Sequence, residues 1–448
     1  VDPAREAAYQ VLRAVDQRAA YANLALPGLL RQRGITGRDA ALATELCYGT
    51  LRTSGTLDAI LAGASSRPLL RIQAPVRDAL RLGAYQLLYT RVPPHAAVDS
   101  TVALVRGQHG HRATGFVNAV LRRVAGHDLA GWLDQITPAD PVAALAVRHA
   151  HPEWVVRAFA DALGGDFDEV TAALDADNQR PIVHLAALPG RTDPAVLADQ
   201  VSGQRGRYSP YAVYLPEGAP AEVPAVAGRL AMVQDEGSQL VTLATAAAPL
   251  SGKDRRWLDL CAGPGGKAAL LGALAGQRGA EVTAVEVAAH RARLVSDATR
   301  DLPVRVVHGD GRTVGDHPDL PLDSFDRVLV DAPCTGLGAL RRRPEARWRR
   351  TPADLVPLVE SQRRLLAAGL RAVRPGGVVG YVTCSPHPVE TLAAVDQICA
   401  EGGSDVTPLD VRPLLPGVPA LGSGPSVQLW PHRHGTDAMF LALFRRVC

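Results

Sequence analysis

The chain has 448 residues, 47% of them hydrophobic, and a net charge of +3. That length exceeds one typical domain and predicts two or three; the apolar fraction excludes global disorder, and no run of eighteen apolar residues offers a membrane span. The six cysteines (47, 261, 334, 384, 399 and 448) are scattered, with no CxxC pair, which excludes a disulfide framework and fits a reducing, cytoplasmic setting.

The opening VDPAREAAYQ has no apolar signal core, so export is not expected. It lacks an initiator Met, and a few residues are expected to have been trimmed. Residues 1–140 read as an all-α bundle of six or seven helices. AREAAYQVLRAV, TGRDAALATELCYGTLR, PVRDALRLGAYQLLYT and ATGFVNAVLRRVAG each repeat apolar residues at three- and four-residue spacing. Asp39 and Pro75 are helix-start signals. This part holds 16 Arg against 11 Asp and Glu. Arginine suits phosphates and stacked bases, but genome composition accounts for the bias at least as well, since Lys253 and Lys267 are the only lysines in the chain.

Residues 145–227 mix one helix (HPEWVVRAFADALG) with strand-like pieces (PIVHLAAL, YAVYL) and predict a small α+β connector. From 228 to 448 strands and helices alternate: RRWLDLCAG, AEVTAVEV, VRVVHGD, FDRVLVDAP and GVVGYVTCS are the strand patterns. Alternation of this kind predicts an α/β Rossmann-like domain, doubly wound around a mostly parallel sheet. The tail QLWPHRHGTDAMFLALFRRV predicts a β-hairpin closing that sheet.

LDLCAGPGGKAALLGALAG sets a strand (Trp257 to Leu260), a turn with Gly263, Gly265 and Gly266, and a helix in order. Glycines let a ligand approach the backbone, and the helix start offers free N–H groups. A phosphate-binding Walker loop is excluded, because Cys261 stands where its first glycine belongs and Ala268 where a magnesium-holding hydroxyl belongs. The next strands end at Glu286, Asp310 and Asp331. With Asp259 in the first, acids at four successive strand ends converge on one crevice at the carboxyl edge of the sheet. Singly, each acid could merely cap a helix or turn; the ordered set points to a ligand. No cationic phosphate cluster accompanies it, so the ligand is a nucleoside without phosphates. S-adenosylmethionine fits: ribose on Glu286, adenine near Asp310, the methionine part over the glycine turn.

Cys334 follows the fourth strand and Cys384 ends the fifth. If these strands are neighbours, both sulfurs face the crevice. An isolated cysteine is usually a small buried hydrophobe, and Cys47, Cys399 and Cys448 are read that way. Methylation of oxygen or an exocyclic nitrogen needs no thiol, whereas carbon 5 of a pyrimidine does. A thiolate adds at carbon 6, carbon 5 becomes nucleophilic toward a sulfonium methyl, and loss of the carbon-5 proton expels the thiol. Only a few per cent of a free thiol is ionised at pH 7, so Lys267 and nearby arginines are candidates to favour the thiolate. Asp331 is placed to hydrogen-bond near ring N3. Spacing does not decide which thiol attacks.

DLCAGPGGK, AVEV, GDGR, DAPCTGLGALRRRPEARW and VTCSPHPVE resemble, in order, the signature motifs of the Sun/Fmu (RsmB-type) RNA cytosine-5 methyltransferases. RDAALATELCYGTLR, LRLGAYQLLY and GFVNAVLRR resemble the NusB-type RNA-binding domain that precedes them. The resemblance covers nearly the whole chain and is least distinct over 145–225. It implies that Cys384 is the nucleophile and that Cys334 assists product release. It also implies cofactor contacts at Cys261, Ala262, Gly263, Pro264, Gly265, Gly266, Lys267, Glu286, Asp310 and Asp331. The turn reads CAGPGGK where many members have CAAPGGK, and Glu286 stands where Asp is frequent; neither change removes a needed group.

Arg341, Arg342, Arg343, Arg347, Arg349 and Arg350, with Trp348 among them, suit a phosphate backbone and an unstacked base. A solvated charged face is the plainer alternative, but the position just after the Cys334 loop favours RNA. His109, His111, His432 and His434 read as loop histidines, with no further ligands spaced for a metal. The expected activity is S-adenosylmethionine-dependent methylation of carbon 5 of one cytosine in 16S rRNA, by a monomer with no membrane partner. The alternatives are the same chemistry on tRNA or 23S rRNA, or an RNA-binding assembly or antitermination factor with an inert methyltransferase-like domain. The complete motifs with both thiols argue against the last.

Overall fold

A computed structural model describes residues 2–402 and 405–447. Cys448 lies outside the described residues. The contacts divide the chain into two units: a helical unit of Val1–Arg180 with Leu340–Arg350, and a sheet unit of Pro181–Ala339 with Thr351–Cys448.

The helical unit comprises α1 (Pro3–Arg18), α2 (Ala22–Arg33), α3 (Gly37–Arg52), α4 (Ser54–Ala64), α5 (Ala74–Tyr89), α6 (Pro94–His109), α7 (Thr114–Val124), α8 (Leu129–Ile136), α9 (Pro141–Arg148), α10 (Glu153–Ala162) and α11 (Phe167–Asn178). Local signals set several starts. Asp2 caps α1 by accepting the Arg5 N–H, Pro75 falls in the first turn of α5, and Asp39 in the first turn of α3. Leu46, Leu57, Ile60, Leu61, Leu80 and Leu82 are wholly buried in the shared core, each contributing roughly 1.5–3 kcal/mol.

This unit differs from expectation in extent. It does not stop near 140 but runs to Arg180. The helix predicted from HPEWVVRAFADALG is α10, which packs against α9 and α11 rather than joining the connector. Its apolar face (Val155, Val156, Phe159) and that of α11 (Val170, Leu174) need helical partners to be covered. The four acids of α11 obscured its periodicity.

In the sheet unit the connector is a four-stranded antiparallel sheet of β1 (Val183–Ala187), β2 (Gln204–Arg205), β3 (Ala212–Leu215) and β4 (Ala231–Val233), ordered β2-β3-β1-β4. Helices α12 (Pro194–Gln200) and α13 (Pro224–Ala227) accompany it, and α14 (Glu236–Ala247) leads into the main sheet. That sheet contains β5 (Arg256–Asp259), β6 (Glu281–Glu286), β7 (Val304–His308), β8 (Phe325–Asp331), β9 (Val373–Thr383), β10 (Val406–Leu409), β11 (Val427–Gln428) and β12 (Phe440–Arg446). The order is β10-β12-β9-β8-β5-β6-β7, with β11 paired to β12. From β7 to β9 neighbours are parallel; β12 enters antiparallel to β9. The crossovers carry α15 (Gly266–Gln277), α16 (Ala289–Ala298) and α17 (Leu355–Ala372), followed by α18 (Leu392–Gly402) and the short α19 (Pro431–His434).

Val328 to Val330 and Val378, Val379, Tyr381 and Val382 are all buried, as a sheet covered on both faces requires. The tail forms the expected antiparallel pair, β11 with β12, but α19 lies between the strands. The edge strand β10 was not anticipated; its Pro408 suppresses the strand signal and is tolerated at an edge.

Candidate active site

β8 and β9 are adjacent and parallel, and paired without a shift from Arg327 to Asp331, with Asp331 opposite Val382. Their carboxyl ends therefore carry the two cysteine loops side by side. The Cys334 and Cys384 sulfurs are 3.3 Å apart. The bond to Cys384, then burial, then the nearby Cys384 and Glu390 charges hold the Cys334 thiol well above its ordinary value.

Lys267, in the first turn of α15, places Nζ 2.8 Å from Asp331 Oδ2, with the two side chains 13% and 25% exposed. Burial works against its charge. Asp331 outweighs that, Cys384 adds to it, and the ammonium is held above its ordinary range. A permanent cation therefore stands within electrostatic reach of the Cys384 sulfur.

The glycine turn immediately precedes Lys267. Gly265 has φ +115°, a conformation that favours glycine, and a Cβ there would meet Ala298 Cβ at 2.7 Å. A Cβ on Gly263 would fall 2.2 Å from Glu286 Oε2. That carboxylate, at the end of β6, accepts the Gly263 N–H at 3.1 Å and the Ala288 N–H at 2.9 Å, and lies 3.4 Å from Arg291. Asp259 ends β5 wholly buried, with Oδ2 unpartnered. Burial first, then Asp331, pushes it up to about 7. Burial, then Asp259, Asp331 and Glu286, raises the Cys261 thiol. Three of the four strand-end acids thus lie within electrostatic reach of Cys261.

Asp310 differs. It lies two residues beyond the end of β7 and is held by Arg312 through both oxygens, at 2.9 Å to Nε and 2.6 Å to Nη2. Its pKa is lowered by that bond. The residues that pair with the acids, Arg291 and Arg312, were missed in the sequence. Also missed were Thr335, Gln362 and Glu390, buried beneath the thiols; Glu390 closes the VTCSPHPVE motif, which was its only signal.

The arginine run behaves otherwise than expected. Leu340–Arg350 belongs to the helical unit. Arg347 is 0% exposed and donates to the Arg52, Ala150 and Asp177 carbonyls and to Asn178 Oδ1, at 2.7–3.3 Å. Its assignment to RNA is therefore corrected: the guanidinium is spent on three backbone carbonyls and one side-chain amide within the helical unit. Arg341 is buried too. Arg343 and Arg349 stand 5.2 and 4.9 Å over the Tyr21 ring. Trp348, 45% exposed, packs so closely on Gly55 that a Cβ there would lie 2.6 Å away. Arg342 and Arg350 are half-buried. The histidines also differ from plain loop residues. His109 ends α6 and bonds to Tyr9 Oη at 2.5 Å, whereas His434 is wholly buried in α19, receiving the Trp430 N–H at 2.8 Å. Cys47 is buried and Cys399 half-buried.

Comparison with known proteins bears on this arrangement. A family model described as 16S rRNA methyltransferase RsmB/F matches residues 246–445, and one described as the NusB family matches 2–126. Ribosomal RNA small subunit methyltransferase B of Sodalis glossinidius is 33% identical over 88% of this chain and 88% of its own. The chain belongs to the RsmB/F methyltransferase family. A Mycobacterium tuberculosis protein, named provisionally as a methyltransferase, is 56% identical over 100% of this RsmB/F chain and 97% of its own. The fold of the crystal structure of PH0851 aligns with a TM-score of 0.83 over 99% of this chain and 98% of that one, at 19% identity.

Proposed function

We propose that this RsmB/F-family methyltransferase methylates carbon 5 of a cytosine in 16S rRNA through a transient Cys384 adduct. The observation that carries the reading is the 3.3 Å sulfur pair beside the Lys267–Asp331 ion pair. Methyl transfer to nitrogen or oxygen has no use for two adjoining thiols with a cation next to them.

The residues around the turn fit S-adenosylmethionine. Gly263 and Gly265 keep the cradle free of side chains, Glu286 offers acceptors for ribose hydroxyls, and Asp310 stands beyond the next strand end. When bound, that cofactor supplies an electrophilic methyl group. Lys267 stabilises the Cys384 thiolate. Cys384 Sγ bonds to carbon 6 of the cytosine, the electron pair displaced toward N3 takes up a proton from water there, and the Asp331 carboxylate accepts a hydrogen bond from the N3–H so formed. Carbon 5 is thereby made nucleophilic. After its methylation the carbon-5 proton leaves, the C6–S bond breaks, and Cys384 departs with its electron pair. Cys334 assists that release, its thiol being held protonated.

Small-subunit rRNA as substrate is supported by the names of relatives one-third identical to this chain and by the NusB-type helical unit. Arg342, Arg343, Trp348, Arg349 and Arg350 have exposed or half-exposed side chains, and of these Arg342, Arg343 and Trp348 are the proposed RNA contacts from that segment. A cytosine in a stem would have to be flipped out, at a few kcal/mol.

The test is a pair of variants. Cys384→Ala should lower methyl transfer at least about 10⁴-fold while RNA still binds. Cys334→Ala should accumulate a protein–RNA adduct, seen as a retarded band on a denaturing gel. Full activity in Cys384→Ala would remove the covalent mechanism. Bisulfite mapping of 16S rRNA from a deletion strain should show one cytosine losing its modification; an unchanged pattern would move the search to tRNA or 23S rRNA.

A further inference from the structure

Beneath the two thiols lies a buried carboxylate for which the mechanism above has no use. Glu390 is 0% exposed. Its Oε1 accepts the Thr335 N–H at 2.8 Å and the Gln362 Nε2–H at 3.0 Å, and its Oε2 accepts the Thr335 hydroxyl at 2.5 Å. Gln362 also donates to the Pro333 carbonyl at 3.0 Å, and the Tyr381 hydroxyl donates to the Glu390 carbonyl at 2.9 Å. All these donors are neutral. A buried carboxylate costs several kcal/mol in desolvation, so a site that needed only filling would be better served by an apolar side chain.

A carboxylate can only accept. The Thr335 hydroxyl must therefore give its proton to Glu390, and its remaining lone pairs face the Ser385 hydroxyl, 3.1 Å away. The hydrogen-bond direction is fixed as Ser385 to Thr335 to Glu390. Thr335 directly follows Cys334, and Ser385 directly follows Cys384. One charge thus ties the residue after each sulfur to the other loop. The Gly338 N–H donates to the Cys384 carbonyl at 2.9 Å and braces the same pair of loops from above.

We infer that Glu390 is a positioning residue, holding the Cys334 and Cys384 loops in register through Thr335 and Ser385 so that the second thiol meets the first. This rests on the thiol-pair reading of the site and deepens it. Gln can take the place of Glu390. Its carbonyl accepts from the Thr335 N–H and Gln362, its amide donates to the Thr335 hydroxyl, and that hydroxyl turns to donate to Ser385. Ala can do none of this.

The closing experiment reads sulfur proximity without any methyl transfer. Diamide oxidises two thiols to a disulfide: the S–S bond forms, and two protons and two electrons pass to the N=N bond, giving the hydrazine. The full-length protein is treated with diamide, and the Cys334–Cys384 peptide pair is quantified by mass spectrometry, with Cys384→Ser as the blank. Glu390→Ala should form this disulfide about tenfold more slowly than wild type, because the reacting atoms lose their fixed approach. Glu390→Gln should stay within about twofold of wild type. In parallel, kcat for methyl transfer should fall in Glu390→Ala with KM unchanged, and recover in Glu390→Gln. Oxidation of Glu390→Ala at the wild-type rate, or of Glu390→Gln as slowly as Glu390→Ala, would overturn the proposal. Should Glu390→Ala not fold, Thr335→Val cuts the same relay at one hydroxyl, and its oxidation at the wild-type rate would overturn it equally. If the wild-type protein methylates no RNA cytosine, the function reading fails while the oxidation rates still decide the place of Glu390.

Discussion

DAPCTGLGA and LRRRPEARWRR are consecutive in the chain, yet they do opposite things. The first, ending at Ala339, stays with the sheet unit and carries Cys334; the second, from Leu340, belongs to the helical unit. Each has a buried cation to account for. In the sheet unit Lys267 meets a carboxylate, and its charge is held more firmly than in water. In the helical unit Arg347 meets mainly carbonyl oxygens, and burial lowers it to about 10. A carboxylate partner leaves an ammonium able to act on a neighbouring thiolate. Backbone carbonyls consume the guanidinium's donors and make it a structural bolt. A dense run of arginine is therefore not evidence of a charged surface.

Removing the bolt should have the largest effect. Arg347→Ala strips hydrogen bonds from three carbonyls and Asn178, and should destabilise the helical unit by about 3–5 kcal/mol, read as a lowered urea midpoint with the slope unchanged. An Arg347→Ala protein as stable as wild type would break the contrast. Asp331→Asn acts on the other cation. It keeps the shape but removes the charge that offsets burial of Lys267, so the ammonium pKa should drop. Methyl transfer should fall roughly 10²-fold, with the urea midpoint lowered as well, but by less than in Arg347→Ala.

The smallest effect concerns Asp259, the buried neighbour of this pair. The folded chain keeps its proton up to about pH 7, whereas the unfolded chain releases it near pH 4. Between those values the native state binds more protons, so this contribution is fully present below about pH 4 and is lost as pH rises through about 7. Asp259→Asn should flatten that slope, and its stability relative to wild type should rise by about 2 kcal/mol between roughly pH 5 and pH 8. Parallel pH profiles for the two proteins would show that Asp259 is already ionised at the lower pH.

Much of the site was legible because its parts are local. Strand, glycine turn and helix are consecutive at 256–277, and an acid ending a strand announces itself by position, as Glu286 and Asp331 do. The alternation of strands and helices likewise implied the parallel sheet. The helical unit's extent was less legible, since α11 is apolar on one narrow face only and its membership depends on what covers it.

By itself the sequence determined which chemical groups are available: two thiols after two strands, one lysine after a glycine turn, and acids at the strand ends. Their convergence required the pairing of β8 with β9, which brings together sulfurs fifty residues apart in the chain. The fate of the arginines and the place of Glu390 were likewise decided only in three dimensions. The physical reason is the same in both cases. Whether a charge faces water, a carboxylate or a carbonyl depends on what the rest of the chain packs against it, and no local pattern records that partner.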